Sequence, residues 1–411
     1  MTARKILFLI LDGISDRPCA ILQGKTPLQY ARTPVLDALA GTGICGIMDP
    51  IAPGVRPGSD TSHLALLGYN PETYYTGRGP LEAEGCGIHM EKGMIGFRAN
   101  FATMDMNGVV MDRRAGRIRD TAALCEAVQE GVDLSDLGVA FQFRPGAGHR
   151  AALAFRGEGL GAEVSSNDPK KEGEKMPPIR PKNGDPRAAK TAEAANAFIT
   201  QSSPILTDHA INRERIQIGL PPANCILLRG SGEMGHFESF SEKYGMNGSV
   251  ISAATLITGI GRAVGLEHIA VEGATGSVSS NIEGKIAAAI GALEHRDFIL
   301  VNIKGADEAG HDGDARAKTA FIERVDRALE PLADVDSTLL LVCADHSTPC
   351  DIRDHSADPV PVLIRGEGVR IDHVCSFDEI SCATGGLHRI TGSTLMPILL
   401  DLINKTHKYG A

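Results

Sequence analysis

The stretch "KILFLILDG" at residues 5–13 begins a pattern that recurs along the chain. Its six apolar residues, Ile6 to Leu11, are continuous rather than alternating, and they stop abruptly at Asp12. Continuous apolar strands are typical of a parallel sheet that is covered on both faces. The run is too short for the apolar region of a signal peptide or for a membrane span. It therefore predicts a buried first strand in a cytoplasmic protein that does not enter a membrane.

Similar apolar runs occur further along, and helical patterns lie between them. The helical stretches 248–265 and 283–296 repeat apolar residues three and four positions apart, and the second leads directly into an apolar run. The runs that resemble the first strand are 225–228, 298–303, 339–344 and 360–364. This alternation of strand and helix predicts a doubly wound, mostly parallel α/β sheet.

The middle of the chain has a different character. It is richer in arginine, and its stretches "VAFQFR" and "HRAALAF" alternate as in an antiparallel sheet. Residues 167–187 are dense in Pro and Lys and predict a long loop. We therefore expect an α/β domain built from residues 1–85 and 223–411, interrupted by a smaller α+β domain at residues 86–222.

Composition narrows the class of protein. The formal net charge of −10 argues against a nucleic-acid surface, although it allows a local basic pocket for a small anion. The 9 cysteines are scattered with no C-x-x-C pair, which is typical of reduced intracellular thiols rather than of a disulfide framework.

Several of the predicted strands end in metal-seeking side chains. Because the carboxyl ends of parallel strands meet at one edge of a sheet, acidic and histidine residues that follow these strands are expected to converge. They are Asp12, Asp307, His311, Asp345, His346 and the more distant His355. Carboxylate and imidazole ligands without thiolate suit Mn²⁺, Zn²⁺, Co²⁺ or Mg²⁺. So many ligands fit two metal ions better than one, as in many phosphoryl-transfer sites.

A serine supplies a candidate nucleophile for such a site. In "RPGSDTSHLALLGY" (56–69) a turn precedes a helical pattern, so Ser59 is expected at a helix N-terminus, where an anion is favoured. Serine at such a place is also a common N-cap. Metal coordination is one way to activate a serine hydroxyl. Spacing alone leaves Thr61 and Ser62 open as rivals, and His63 is expected to pack beneath the helix.

Together these motifs resemble a known family. "LDGISD", "PGSDTSHL", "DEAGHDG", "ADHSTPC" and "HSADPVPVLI" are similar to the alkaline phosphatase superfamily. More narrowly, they resemble the archaeal-type cofactor-independent (2,3-bisphosphoglycerate-independent) phosphoglycerate mutases. "RANFAT", "DRRAGRI", "FRPGAGHR" and "GATGSVSSNIEGK" extend the likeness over nearly the whole chain.

The resemblance implies two metal ions, each with its own ligands. One would be bound by Asp12, Ser59, Asp345 and His346, which favours Ser59 over its rivals. The other would be bound by Asp307, His311 and His355. Asn302 is a departure, because similar sequences often have histidine there, and we do not count it as a ligand.

The implied reaction interconverts 3-phosphoglycerate and 2-phosphoglycerate through phosphoserine at Ser59, without 2,3-bisphosphoglycerate. Lys285 resembles the active-site lysine of the family, and Asp105 or Asp112 is a candidate acid–base group. The substrate's anionic groups require cations, for which guanidinium groups are suited. The candidates are Arg98, Arg113, Arg114 and Arg150.

Two rival enzymes share most of this site. A metal-dependent phosphatase, or another small-metabolite phosphotransferase of the superfamily, would use the same metal ligands. The arginine-rich middle of the chain favours the mutase, because a general phosphatase does not need it. A scaffold held together by metals, which is not an enzyme, would have no use for the serine.

Overall fold

The first strand, β1 (Lys5–Leu11), lies inside an eight-stranded sheet in the computed structural model of the protein. The structure describes residues 5–335 and 337–410. Residues Ile6 to Leu11 are at most 2% exposed, because β1 pairs with a parallel strand on each side and both of its faces are covered. The buried first strand predicted from sequence is therefore present.

The remaining elements follow in chain order. The strands are β2 (Ile44–Asp49), β3 (Ile95–Met104), β4 (Val110–Asp112), β5 (Ala140–Pro145), β6 (Arg150–Arg156), β7 (Cys225–Glu233), β8 (Gly248–Ile251), β9 (Glu267–His268), β10 (Phe298–Ile303), β11 (Thr338–Cys343), β12 (Val360–Arg365) and β13 (His388–Thr391). The α-helices are α1 (Pro27–Tyr30), α2 (Pro34–Ala40), α3 (Ser59–Leu66), α4 (Pro71–Tyr74), α5 (Arg78–Gly85), α6 (Ala122–Gly131), α7 (Pro186–Thr207), α8 (Ala210–Gln217), α9 (Phe240–Tyr244), α10 (Thr255–Ala263), α11 (Ile282–Ala292), α12 (Gly305–Asp312), α13 (Ala315–Ala328) and α14 (Gly392–Leu402). Short 3₁₀ helices lie at Ala20–Leu22, Ala115–Arg117, Ser135–Leu137, Glu330–Asp334 and Cys382–Thr384.

The large sheet is mostly parallel, as predicted. Its strand order is β13-β2-β12-β11-β1-β10-β8-β9. Of the strands described in this sheet, β12 alone runs against the others, since it pairs antiparallel with both β11 and β2. The neighbours β11, β1 and β10 run parallel, so their carboxyl ends lie at the same edge.

The chain divides into two compact units. The first unit contains the large sheet and comprises the residues up to Tyr74 and those from Phe237 onward. The inserted unit, Tyr75–His236, contains a five-stranded sheet with β4, β3, β6 and β5 in order and with β7 paired to β3. Strands β3, β5, β6 and β7 are joined by antiparallel pairing. This unit has its own core, which includes Phe97, Phe155 and Phe198.

The inserted unit is longer at both ends than the range 86–222 expected from sequence. Helix α5 and strand β7 belong to it because both pack against β3. The approach of α5 is close, since a Cβ atom at Gly79 would lie 2.2 Å from the carbonyl oxygen of Gly96 in β3. The hydroxyl of Thr76 donates to the carbonyl oxygen of Glu233, so the start and the end of the unit are tied together.

Two local predictions were wrong. The run 225–228 belongs to β7 in the antiparallel sheet, not to the large parallel sheet. It does not alternate because both faces are covered: Ile226 and Leu228 join the main core of the unit, whereas Cys225 and Leu227 pack in a separate cluster. The stretch 248–265 is helical only from Thr255, since its first residues form β8.

Candidate functional site

Three aspartates meet at the carboxyl edge of the large sheet. Asp12 directly follows β1, and its N–H donates to the carbonyl oxygen of Ile303 at 2.9 Å. Asp307 lies in the first turn of α12, which follows β10, and Asp345 comes after β11. These carboxylates are buried, with exposures of 0%, 3% and 0% in chain order.

Asp12 and Asp345 converge with His346 and Ser59, a set that we call the serine group. Ligand atoms of Asp12, Asp345 and His346 lie within 4.8 Å of one another. The Oγ atom of Ser59, the first residue of α3, lies 3.1 Å from His346 Nε2. Asp345 Oδ2 is 3.2 Å from the same nitrogen atom.

Asp307, His311 and His355 form a second cluster, the histidine group, whose ligand atoms also lie within 4.8 Å of one another. Asp307 Oδ1 is 3.4 Å from His311 Nε2 and 3.6 Å from His355 Nε2. Each imidazole donates its Nδ1–H to a carbonyl oxygen, His311 to Arg353 and His355 to Pro57, at 2.9 Å in both cases. Because a carbonyl oxygen can only accept, both Nε2 atoms keep a lone pair for a metal ion.

Thr348 connects the two groups. Its hydroxyl donates to Asp307 Oδ1 at 2.8 Å, so it accepts a hydrogen bond from Nδ1 of His346 at 3.1 Å. This arrangement leaves the Nε2 lone pair of His346 directed at Ser59 and Asp345. Burial holds the pKa of His346 well below its usual value, which keeps the imidazole neutral and able to act as a ligand.

The donor set fits divalent metal ions. Asp345 Oδ2 is buried and has no hydrogen-bond partner among the described residues. Burial, reinforced by nearby Asp12, raises the pKa of Asp345 well above its usual value. A cation bound between these carboxylates would give the unpartnered oxygen a partner and offset the repulsion between the two charges. Oxygen and imidazole donors without thiolate suit Mn²⁺, Zn²⁺, Mg²⁺ or Co²⁺.

The hydroxyls that rival Ser59 are engaged elsewhere. Thr61 and Ser62 both donate to the carbonyl oxygen of Gly58. His63 is fully buried and donates its Nδ1–H to the carbonyl oxygen of Ser59 at 2.8 Å. Burial lowers the pKa of His63 to about 4, so its imidazole is neutral. The ring packs against the first turn of α3, the helix to which His63 belongs.

Lys285 is buried near the serine group and contacts it through Asn302. Its Nζ donates to the carbonyl oxygen of Asn302 at 2.8 Å, and burial lowers its pKa to about 8. The side-chain amide of Asn302 donates in turn to Asp12 Oδ2 at 2.9 Å. Asn302, the departure noted in the sequence, therefore forms a hydrogen bond with a candidate ligand.

Sequence reasoning missed a lysine that contacts the carboxylates directly. Lys304 Nζ lies 3.0 Å from Asp12 Oδ1 and 2.7 Å from Asp307 Oδ2. Its spacing of three residues before Asp307, at the start of a helix, was a usable signal for an ion pair.

In the inserted unit, the predicted arginines belong to a larger cationic cluster. Arg113 makes a bidentate pair with Asp168, at 2.8 Å and 2.7 Å, and Arg229 approaches the same carboxylate at 3.4 Å. Burial lowers the pKa of Arg98 to about 9, and neighbouring arginines add to the decrease against the opposing effect of Glu82. We call Arg78, Arg98, Arg113, Arg114, Arg150 and Arg229 the arginine cluster.

Four arginines of this cluster lie close enough to His149 to affect its pKa. Burial lowers its pKa to about 4, and positive neighbours contribute further. Those neighbours are Arg150, Arg114, Arg98 and Arg229. Sequence reasoning missed Arg78 and Arg229, which lie outside the expected boundaries of the inserted domain, and also missed Asp168.

The two acids predicted for proton transfer close turns in the structure. Asp105 accepts hydrogen bonds from the backbone N–H groups of Asn107 and Val109, and these bonds lower its pKa. Asp112 accepts from the backbone N–H groups of Arg114 and Gly116. Their oxygens therefore already serve local structure, and a lowered pKa makes Asp105 a poor proton donor.

Comparison with known proteins identifies the family. The sequence model of the family described as 2,3-bisphosphoglycerate-independent phosphoglycerate mutase matches residues 40–212. A protein of that name from Methanoculleus marisnigri is 67% identical over 411 residues, which is 100% of both chains. Another from Archaeoglobus fulgidus is 52% identical over 413 residues, covering 99% of this chain and 100% of the relative. The chain belongs to this family.

Two solved structures are similar to the chain over nearly its whole length, and one of them is named as a member of this family. A protein from Pyrococcus horikoshii has a TM-score of 0.85 and 35% identity, with 100% of each chain covered. The cofactor-independent phosphoglycerate mutase from Thermoplasma acidophilum has a TM-score of 0.70 and 39% identity, covering 98% of this chain and 100% of that one. The family and the isomerase class predicted from sequence are thus confirmed. Among the described residues, no helix has the length and apolar character needed to cross a membrane.

Proposed function

We propose that this protein interconverts 3-phosphoglycerate and 2-phosphoglycerate by passing the phosphoryl group through Ser59. The supporting observation is the position of the Ser59 hydroxyl, 3.1 Å from His346 Nε2 and at the N-terminus of α3. A helix N-terminus favours the phosphate that would accumulate on this oxygen. As the family description states, 2,3-bisphosphoglycerate is not required.

The two ligand groups are proposed to hold two divalent metal ions. Asp12, Ser59, Asp345 and His346 would bind one, and Asp307, His311 and His355 the other, with Mn²⁺, Zn²⁺, Mg²⁺ and Co²⁺ all compatible. When bound, the ions would favour the alkoxide of Ser59 and neutralise charge on the transferring phosphoryl group. The chain's own part is to keep the histidines in the correct tautomer through Thr348 and the two backbone carbonyl groups.

The arginine cluster is proposed to bind the anionic groups of the phosphoglycerate. Guanidinium groups bind carboxylate and phosphate bidentately, and burial strengthens such contacts. Asp168 would orient Arg113 and Arg229, because its carboxylate forms an ion pair with each of them in the structure. The net charge of −10 and this local cluster together suit a small anionic substrate better than a nucleic acid. A cytoplasmic location, as for other steps of glycolysis and gluconeogenesis, is part of the same proposal.

The decisive experiment is incubation of the metal-loaded protein with 3-phosphoglycerate, with separate detection of 2-phosphoglycerate and free phosphate. The mutase predicts 2-phosphoglycerate with little free phosphate. Free phosphate without 2-phosphoglycerate would instead support the metal-dependent phosphatase.

The nucleophile is tested by Ser59→Ala, which is expected to abolish turnover while the fold and most metal binding remain. Ser62→Ala is the matched control, since this buried serine in the same helix uses its hydroxyl to bind the backbone. We expect the control to keep turnover within about threefold of the unmodified protein, because it loses one ordinary hydrogen bond. Full activity in Ser59→Ala would refute the phosphoserine route.

A further inference from the structure

Lys304 links the two ligand groups. It follows β10 and precedes the first turn of α12, and its Nζ contacts three carboxylate oxygens. These are Asp12 Oδ1 at 3.0 Å, Asp12 Oδ2 at 3.2 Å and Asp307 Oδ2 at 2.7 Å. The lysine side chain is 25% exposed, whereas those of Asp12 and Asp307 are 0% and 4% exposed. The lysine side chain is therefore partly exposed to solvent, whereas the carboxylates that it contacts are buried.

The contacts of Lys304 are unequal. On Asp307 it uses Oδ2 and leaves Oδ1 facing the two histidines of the histidine group. On Asp12 it contacts both oxygens, and Asn302 donates to one of them as well. A metal ion in the histidine group can therefore bind Asp307 without removing Lys304. A metal ion in the serine group would bind Asp12, whose two oxygens both lie within 3.2 Å of Lys304 Nζ, so it would compete with the ammonium group for that carboxylate.

The contact between Lys304 and the aspartates matters because it balances the negative charge of buried carboxylates. Three buried carboxylates at one sheet edge are costly without a compensating cation. The other nearby lysine, Lys285, donates to a backbone carbonyl oxygen rather than to a carboxylate. The Lys304 ammonium group, which lies within 3.2 Å of three of these carboxylate oxygens, supplies that cation.

We propose that Lys304 is a resident cation that occupies Asp12 in the metal-free protein and is displaced when the serine group takes up its metal ion. This inference rests on the two-metal site of the proposed function. It predicts an order of loading: the histidine group fills first, and the serine group fills second and more weakly. The apparent affinity of the serine group is lowered by the small fraction of molecules in which Asp12 is free of Lys304.

The test is a titration of the full-length, chelator-stripped protein with Co²⁺, followed by calorimetry and by the visible absorption of the ion. The unmodified protein should bind in two separable steps. Lys304→Met should tighten the weaker step about tenfold or more, and the tighter step by less than about threefold. His311→Gln, which removes a ligand of the histidine group, assigns the steps. Lys405→Met is the charge-matched control, since Lys405 donates to Gly245 on an exposed surface, and it should leave both steps unchanged.

A second measurement uses the unmodified protein, so its result does not depend on whether a variant folds. Acetylation of Lys304 by an amine reagent, quantified by peptide mass spectrometry against Lys405, should be slow in the metal-free protein. It should rise as the second step fills, because the displaced ammonium is no longer held by three carboxylate oxygens. A purely structural lysine that stays on Asp12 would show no such rise.

The outcomes separate this inference from the proposed function. If the protein binds two ions and interconverts the phosphoglycerates, but Lys304→Met leaves the weaker step unchanged or weaker, only the displacement of Lys304 is refuted. Unchanged acetylation at full loading refutes it as well. If the unmodified protein binds fewer than two ions or lacks mutase turnover, the proposed function fails, and the inference fails with it.

Discussion

At the scale of single residues, the hydroxyl of Thr348 forms hydrogen bonds with one member of each ligand group, Asp307 and His346. Replacing it with valine preserves shape but removes both hydrogen bonds, so Asp307 loses a donor and His346 loses the acceptor that fixes its tautomer. Loss of such an orienting partner typically costs about 10-fold to 100-fold in metal affinity. We therefore expect Thr348→Val to weaken both steps of a Co²⁺ titration.

Thr258→Val is the control for this change. Thr258 is also buried, and its hydroxyl donates to the carbonyl oxygen of Ser252. Its loss should lower the free energy of unfolding by about 1 kcal/mol without changing metal binding. Equal metal affinities in Thr348→Val and the unmodified protein would show that Thr348 does not orient the ligands.

Individual site residues could be predicted from sequence only where they lie close to a recognisable pattern, such as the end of an apolar run. Asp12 and Asp345 were noticed because each stands where an apolar run stops, and the family resemblance then implied the two complete ligand sets. The contact of Lys304 with Asp12, 292 positions away, and that of Thr348 with Asp307, 41 positions away, left no signal in the sequence. Only the pair of Lys304 with Asp307, three positions apart, could have been predicted. Asp105 and Asp112 were chosen as acids without any means of seeing the turns that engage them.

At the scale of elements, α12 packs tightly against the loop that carries Asp345 and His346. A Cβ atom on Gly310 would lie 2.4 Å from the carbonyl oxygen of Thr348. Gly310→Ala must therefore push α12, with Asp307 and His311, away from this loop. We expect a loss of about 1–3 kcal/mol in the free energy of unfolding, measured by urea denaturation, and weaker binding of metal.

Gly291→Ala in α11 is the matched control. Apart from its chain neighbours and the backbone of its own helix, no atom of the described residues lies within 4 Å of the position that its Cβ would take. Alanine at a helical position with free space should stabilise the protein by about 0.5–1 kcal/mol. A Gly310→Ala protein that gains stability in the same way would contradict the close packing of α12.

Elements were predictable where burial and periodicity agreed. β1, β10 and β11 gave continuous apolar runs because both of their faces are covered, and α11 showed the expected helical spacing. The run in β7 has the same appearance for the same reason, yet it lies in an antiparallel sheet. A continuous run of apolar residues indicates that both faces of a strand are buried, but it does not indicate which sheet the strand joins.

At the scale of the whole molecule, the inserted unit has the properties of an independent domain. Its 75–236 segment contains all five strands of its sheet and a separate apolar core. We expect this fragment, expressed alone, to show a cooperative thermal transition by circular dichroism. The fragment 86–222 is the control, because it lacks α5 and β7 and therefore exposes both the partner edge and the covered face of β3. If the shorter fragment unfolded cooperatively and the longer one did not, the domain would instead begin at 86 and end at 222.

The hydrogen bond between Thr76 and Glu233 has a consequence for how such enzymes diversify. Because the entry and exit of the inserted unit meet, replacing the unit by another domain with adjoining ends adds almost no loop-closure entropy. The inserted unit, which we propose binds the anionic substrate, could thus be exchanged for another domain while the candidate ligands at the edge of the large sheet are kept. We expect that proteins with the same ligand residues at the strand ends but with unrelated inserted domains act on different phosphate esters.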